Sequence, residues 1–219
     1  MAQAAELFAA IQAGDTAGVR RLVAETPALA GARTGEGLPA LLFALYRTQR
    51  ESVEALLAAA PPLDIFSTAS LGREDALVAL LAQTPELAAA FSADGFTALH
   101  LAAFFGQAGA ARRLLDAGAE VNAVARNPMR VQPLHSAAAG RHHAVCTLLI
   151  ERGAEVNARQ QGGWTPLHAA AQQGDRALAQ LLLAAGADPA ARNDDGLDSA
   201  AIAAASGHAE LAALLTPQG

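Results

Sequence analysis

Residues 163–191 read GWTPLHAAAQQGDRALAQLLLAAGADPAA, and residues 95–123 read GFTALHLAAFFGQAGAARRLLDAGAEVNA. Laid one above the other, the two stretches share a Leu-His pair, an Ala-Ala pair, a following Gly, a Leu-Leu pair and a closing Gly-Ala. Between them, residues 131–158 (VQPLHSAAAGRHHAVCTLLIERGAEVNA) carry the same skeleton, so that His100, His135 and His168 recur at spacings of 35 and 33 residues. A period of this size marks a stacked array of supersecondary units rather than a globule around one centre. A weaker copy, GLDSAAIAAASGHAELAALL, occupies 196–215, and fainter ones lie at 64–95, 37–61 and 6–37. The reading is seven helix pairs in one array over 1–219. It has divergent repeats at 4–35, 36–62 and 63–93, clear repeats at 94–125, 126–159 and 160–193, and a C-terminal cap at 194–217.

Local physics accounts for the unit. Each first helix is short and rich in Ala, which lets neighbouring helices approach closely. Thr165-Pro166 opens one such helix, because Thr can cap and Pro fits a first turn where its missing N–H costs nothing. Gly106 and Gly174 stand at the ends of first helices, a position suited to a left-handed residue. The second helix places Leu178, Leu181 and Leu182 at three- and four-residue spacing and stops at Gly186. One pair cannot bury both of its faces, so the units must stack, with atypical terminal members.

Residues 94–215 resemble ankyrin repeats, with G-x-T-P-L-H-x-A-A and L-L-x-x-G-A-x-x-N almost unaltered, and 6–93 look like divergent members of the same array. The resemblance implies an all-α solenoid of about seven helix–turn–helix units, atypical caps included, joined by β-hairpin-like fingers. It also implies a concave surface of finger tips and first helices on which a protein partner docks, and no catalysis. In that family the Leu-His histidine hydrogen-bonds backbone near the turns and ties neighbouring units, so His100, His135 and His168 are expected to be structural.

Composition narrows the rest. The chain is 53% apolar but only 4% aromatic, so its core must be thin and close-packed. A net charge of −6 argues against nucleic acid or an anionic membrane as the main partner. All 15 basic residues are Arg, which suggests a GC-rich bacterial source and a bacterial-type member of the family. With one cysteine, Cys146, no intramolecular disulfide or multi-thiolate site can form. The first residues lack the basic region of a secretory signal, and no apolar run suggests a spanning helix. A cytoplasmic protein is expected.

Candidate chemistry is sparse. His142, His143 and Cys146 have helical spacing that could start a metal site, but no fourth ligand follows; no metal and no cofactor are expected. His142 aligns with His208 at a helix start, and Cys146 with the inward-facing Ala179. No phosphate loop, nucleophile elbow or zinc-protease helix is present in the sequence. The finger ARNPMRVQPLH (125–135) is two residues longer than its neighbour, with Arg130 where flanking units have Gly95 and Gly163. Because Arg does not share glycine's backbone freedom, this finger is expected to turn differently, either as a tolerated surface insertion or as a modified finger presenting Met129, Arg130 and Val131 to a partner.

Trp164 aligns with Phe96, Val131 and Leu197 on the outer part of the finger. Phe104 with Phe105, and Gln172 with Gln173, fall four and five residues after their histidines, on the side the family uses for docking. Tyr46 with Arg47 and Ser70 with Leu71 align there too. Phe96, Phe104, Phe105, Met129 and Trp164 are thus expected to form an apolar strip, the residue types that protein interfaces concentrate, the alternative being that the phenylalanines pack within the stack and Trp164 covers a finger. The leading expectation is a non-catalytic scaffold binding another protein. The alternatives are a small-ligand or metal-binding solenoid, and a structural protein that self-associates weakly through the strip.

Overall fold

The computed structural model describes residues 2–216. Among these the chain forms fourteen α-helices and no strand, and it divides into two compact units. Where the sequence reading takes 1–219 as one array, this division falls inside the third helix pair: residues up to 68 with 92–94 form one unit, and 69–91 with 95 onward form the other.

The first unit contains α1 (Ala2–Ala13), α2 (Thr16–Glu25), α3 (Ala40–Tyr46), α4 (Arg50–Ala58) and the start of α5 (Ile65–Ser70). Helix α1 packs on α2 and α3, and α4 on α2 and α3. Leu7, Ile11, Val19, Leu41, Leu42 and Leu56 are buried between them. Asp15 caps α2 by accepting from the Gly18 N–H at 2.8 Å. Gln49 reaches from one pair to the other and donates to the Ile11 carbonyl at 2.6 Å. Tyr46 and Arg47, aligned with the docking side, are occupied locally. The Tyr46 hydroxyl donates to Asp94 at 2.7 Å, and burial followed by that carboxylate pushes its pKa up. The Arg47 guanidinium lies 4.3 Å from the centre of the Phe43 ring.

The second unit continues with α6 (Glu74–Gln83), α7 (Ala98–Phe104), α8 (Ala108–Asp116), α9 (Pro133–Ala139), α10 (His143–Glu151), α11 (Pro166–Gln173), α12 (Arg176–Ala184), α13 (Ser199–Ala205) and α14 (Ala209–Leu215). First helices α7, α9, α11 and α13 stack in one row, and second helices α6, α8, α10 and α12 stack in another. Helices of seven to ten residues are too short to persist alone, so this stacking is what holds them. Alanine permits it. Ala102, Ala103, Ala137, Ala138, Ala170 and Ala171 are all fully buried where one first helix meets the next. Leu114, Leu149 and Leu182 fill the space under the second helices.

The turn between the two helices of a pair is left-handed. Gly106 and Gly174 take φ of 72° and 66°, whereas Thr48 and Arg141 hold the same region at 54° and 58° without glycine's freedom. Two second helices, α2 and α6, run on after a Thr-Pro step into 3₁₀ turns at Pro27–Gly31 and Pro85–Ala89. The fingers are reduced forms of a hairpin, and two of them retain isolated antiparallel bridges, at Arg33–Pro39 and Phe91–Thr97.

Candidate functional site

The three aligned histidines occupy one repeated geometry. Each is the third residue of its first helix, and each Nδ1 accepts from the backbone N–H of the helix cap: Thr97 at 3.3 Å, Gln132 at 3.2 Å and Thr165 at 2.9 Å. With Nδ1 the acceptor, the proton sits on Nε2, which donates across to the following unit: to the carbonyls of Val131 (3.0 Å), Ala158 (3.0 Å) and Ala191 (3.1 Å). Both nitrogens of each ring are thereby used and the three rings are buried. Burial holds all three below their ordinary value, His100 at about 4, against the opposing pull of the carbonyl bonds.

The finger tips run beside one another and are stitched through the backbone. Arg126 N–H donates to Gly95 O at 2.8 Å, Gln161 N–H to Met129 O at 3.0 Å, and Asp194 N–H to Gly162 O at 2.9 Å. The long finger departs from expectation. Arg130 sits at φ 50°, in the left-handed region of Gly95 (84°) and Gly163 (72°), and closes the same turn onto Asn127 O that Gly163 closes onto Gln160 O. The two extra residues are absorbed further back. Ala125 pairs with Val131, six residues on, where Gln160 pairs with Trp164, four residues on. Thus the turn is kept and the arm is lengthened, because the backbone bonds on both flanks hold the tip.

Val131 corrects a second expectation: it is buried, its carbonyl being the acceptor for His100, and it is not presented. Met129 is 47% exposed and Arg130 is also exposed. Phe104 is 42% exposed at the end of α7 and stands edge-to-face on half-buried Phe105, with ring centres 5.2 Å apart. Phe96 and Trp164 are half-buried, each tilted over its own histidine ring at 5.8 Å. Gln172 is exposed, but Gln173 spends its amide on the carbonyls of Ala138 and Ala139. The strip is therefore uneven. Phe104 and Met129 offer open apolar surface, Phe96, Phe105 and Trp164 offer part of theirs, and Val131 and Gln173 serve the stack.

Comparison with known proteins bears on the same residues. A family model described as ankyrin repeats in three copies matches residues 125–193, and a single ankyrin repeat matches 94–126. Residues 94–193 are ankyrin repeats. Similar curated proteins include the neurogenic locus Notch protein of Drosophila melanogaster, 45% identical over 87 residues, and the neurogenic locus notch homolog protein 2 of Homo sapiens, 42% identical over 87 residues. Human notch homolog protein 4 is 47% identical over 74 residues. These matches cover 39%, 39% and 32% of this chain but only 3%, 3% and 4% of the relatives' own lengths. The relatives are animal proteins, so the bacterial character read from the arginine bias finds no support among them.

Within the ankyrin repeats, two asparagines that the sequence reading treated only as pattern letters prove to be bridges. Asn122 donates to Gly153 O and accepts from Glu155 N–H, and Asn157 does the same with Gly186 O and Asp188 N–H. Their recurrence at 35 residues, each directly after a Glu-Val step, was the available signal. The suspected His142–Cys146 pair divides. The His142 Nε2 donates to Phe104 O at 2.9 Å, while Cys146 is fully buried and burial pushes its thiol up to about 12. His143 bonds Asp175 at 2.7 Å. Asp175 also caps α12 through the Leu178 N–H, with the Arg141 guanidinium at 3.4 Å. Burial would raise the Asp175 carboxyl, but these partners together hold it below its usual range. Among the described residues, no three His, Cys, Asp or Glu side chains are grouped to hold a metal ion.

Proposed function

We propose that the protein is a non-catalytic scaffold that binds another protein on the face formed by the fingers and first helices of its second unit. The observation that carries this reading is Phe104. An aromatic ring 42% exposed, braced edge-to-face by Phe105, at the rim of a rigid row of helices is the kind of anchor that interfaces use. Met129 on the adjoining finger adds a second open apolar side chain, and Trp164 supplies the exposed part of its ring. Rigidity favours recognition, since a face held by backbone bonds and buried histidines loses little entropy on docking.

The test is affinity capture from lysate of the source cells, using the intact protein and its Phe104→Ala and Trp164→Ala variants. Loss of the captured partners by both variants, with helical content and melting unchanged, is the expected result. Full retention of the same partners by both variants would refute the assignment of this face.

A further inference from the structure

We propose that the lengthened finger, residues 124–131, recognises a carboxylate-rich stretch of the partner protein, with Arg126 and Arg130 as its two cationic contacts. This rests on the docking-face reading above and gives it a chemistry.

Charge is distributed unevenly. The chain carries 21 Asp and Glu against 15 Arg, yet residues 121–150 contain no acidic residue and hold Arg126, Arg130 and Arg141. Counted four residues back from the left-handed turn residue, Arg33, Arg159 and Arg192 take the place of Arg126, and each faces a carboxylate: Asp64 at 2.8 Å, Asp194 at 3.5 Å and Asp198 at 3.6 Å. Among the described residues no carboxylate pairs with Arg126 or with Arg130. Arg141, left-handed like Arg130, is paired with Asp175. The finger thus carries two guanidiniums without a carboxylate partner, whereas the arginine four residues before the turn in three other fingers has one.

The two side chains are also held ready. Arg126 is fixed at its backbone by Gly95 O, and its guanidinium lies 3.9 Å from the centre of the Phe91 ring. Stacking on a ring face leaves the N–H edges of the guanidinium pointing outward, the arrangement that binds carboxylates bidentately. Arg130 occupies a left-handed position that glycine fills in the neighbouring fingers, so this turn presents an exposed guanidinium where those turns present no side chain. Around them Val124 and Met129 are 42% and 47% exposed, so the patch suits a protein segment carrying an apolar side chain among its acids. A polyanion such as nucleic acid would meet two cations here and a chain of net charge −6 elsewhere. Screening over a length of about 8 Å at physiological salt keeps the local patch distinct from that net charge.

The experiment is fluorescence anisotropy with the full chain and a fluorescein-labelled peptide in which a central Leu is flanked by Glu. The same peptide with every Glu replaced by Gln and a single-stranded oligothymidylate serve as comparisons. Expected is binding of the Glu peptide about tenfold or more tighter than either comparison, weakening with added salt. The double variant R126Q/R130Q should lose about tenfold, R126K/R130K should lose less, and R176Q, at an exposed arginine of α12, should leave affinity unchanged. Melting of each variant near that of the parent keeps the comparison on binding. Equal affinity for the Glu and Gln peptides, equal or tighter binding of the oligonucleotide, or undiminished binding by R126Q/R130Q would overturn the proposal. Lysate partners lost by Phe104→Ala but fully kept by R126Q/R130Q would overturn the acidic assignment and leave the docking face standing.

Discussion

Acidification should unlock the repeats through their histidines, and His100 allows the size of the effect to be worked out. In the folded chain its Nδ1 accepts from Thr97 N–H and its Nε2 donates to Val131 O, an arrangement that only the neutral ring can make. Burial sets its folded pKa at about 4, against an ordinary value of 6.5 in the unfolded chain. The folded value lies below the unfolded one, so this contribution to stability is fully present above about pH 6.5 and is lost as the pH falls toward 4. Integrating the proton linkage from about pH 7.5 to about pH 5 gives a loss on the order of 2 kcal/mol from this one ring. With a urea m-value of about 2 kcal/mol/M, that loss lowers the unfolding midpoint by about 1 M.

The assay is urea unfolding at both pH values, followed by the fluorescence of Trp164, which reports on the same unit. It is run on the parent and on His100→Gln, which removes the titrating ring. The variant should be less stable at neutral pH but should lose about 2 kcal/mol less than the parent on acidification. His135 and His168 remain in both proteins and cancel in the comparison. If parent and variant show the same pH dependence, or if the His100 ring titrates near 6.5 by NMR, the argument from its buried acceptor is wrong.

Arg130→Gly should raise stability by about 1 kcal/mol, since it relieves a left-handed non-glycine residue without altering the turn; an unchanged or lower urea midpoint would contradict this. Gly106→Ala and Gly118→Ala should separate two costs that both begin with positive φ. A Cβ at Gly106 would lie 2.5 Å from His142 Nδ1 and displace the ring from Phe104 O, whereas a Cβ at Gly118 meets nothing within 4 Å. The first should therefore cost about 1 kcal/mol or more beyond the second in paired melts, in line with the loss of a hydrogen bond. Cys146 should resist a thiol reagent in the folded state and react on unfolding, because the sulfur is buried and its pKa stands at about 12. Cys146→Ser should destabilise by about 1–3 kcal/mol by burying a hydroxyl in the thiol's place, read by the same unfolding assay.

Much of the architecture was legible because its signals are local. Thr165-Pro166, the Leu-His step and Gly174 each act within one turn of chain, and the structure uses them as cap, third residue and left-handed stop. The faint early repeats were legible as helix pairs, but the 3₁₀ turns after Thr26 and Thr84 were not, since a Thr-Pro step marks a break in the helix without fixing the geometry of the next turn. The candidate site was only partly readable. Phe104 and Met129 stand open as the alignment suggested, whereas Val131 at an equally outer position is buried, with its carbonyl accepting from His100 Nε2. Gln172 and Gln173 are adjacent in sequence and differ in use, as only the second reaches carbonyls of the preceding first helix.

By itself, then, the sequence determined the unit and its repetition. Helix, left-handed turn and second helix are encoded by residues a few positions apart, and a unit too short and too apolar to stand alone has to stack. What only the tertiary structure decided are the bonds that join residues more than twenty positions apart. Each histidine ring meets a carbonyl of the next unit, Arg126 lies on Phe91, and backbone bonds to both neighbouring fingers force Arg130 into a glycine's conformation. Pattern can announce that such residues recur, but which group each one touches depends on the register of one repeat against the next, and that register exists only once the stack has formed.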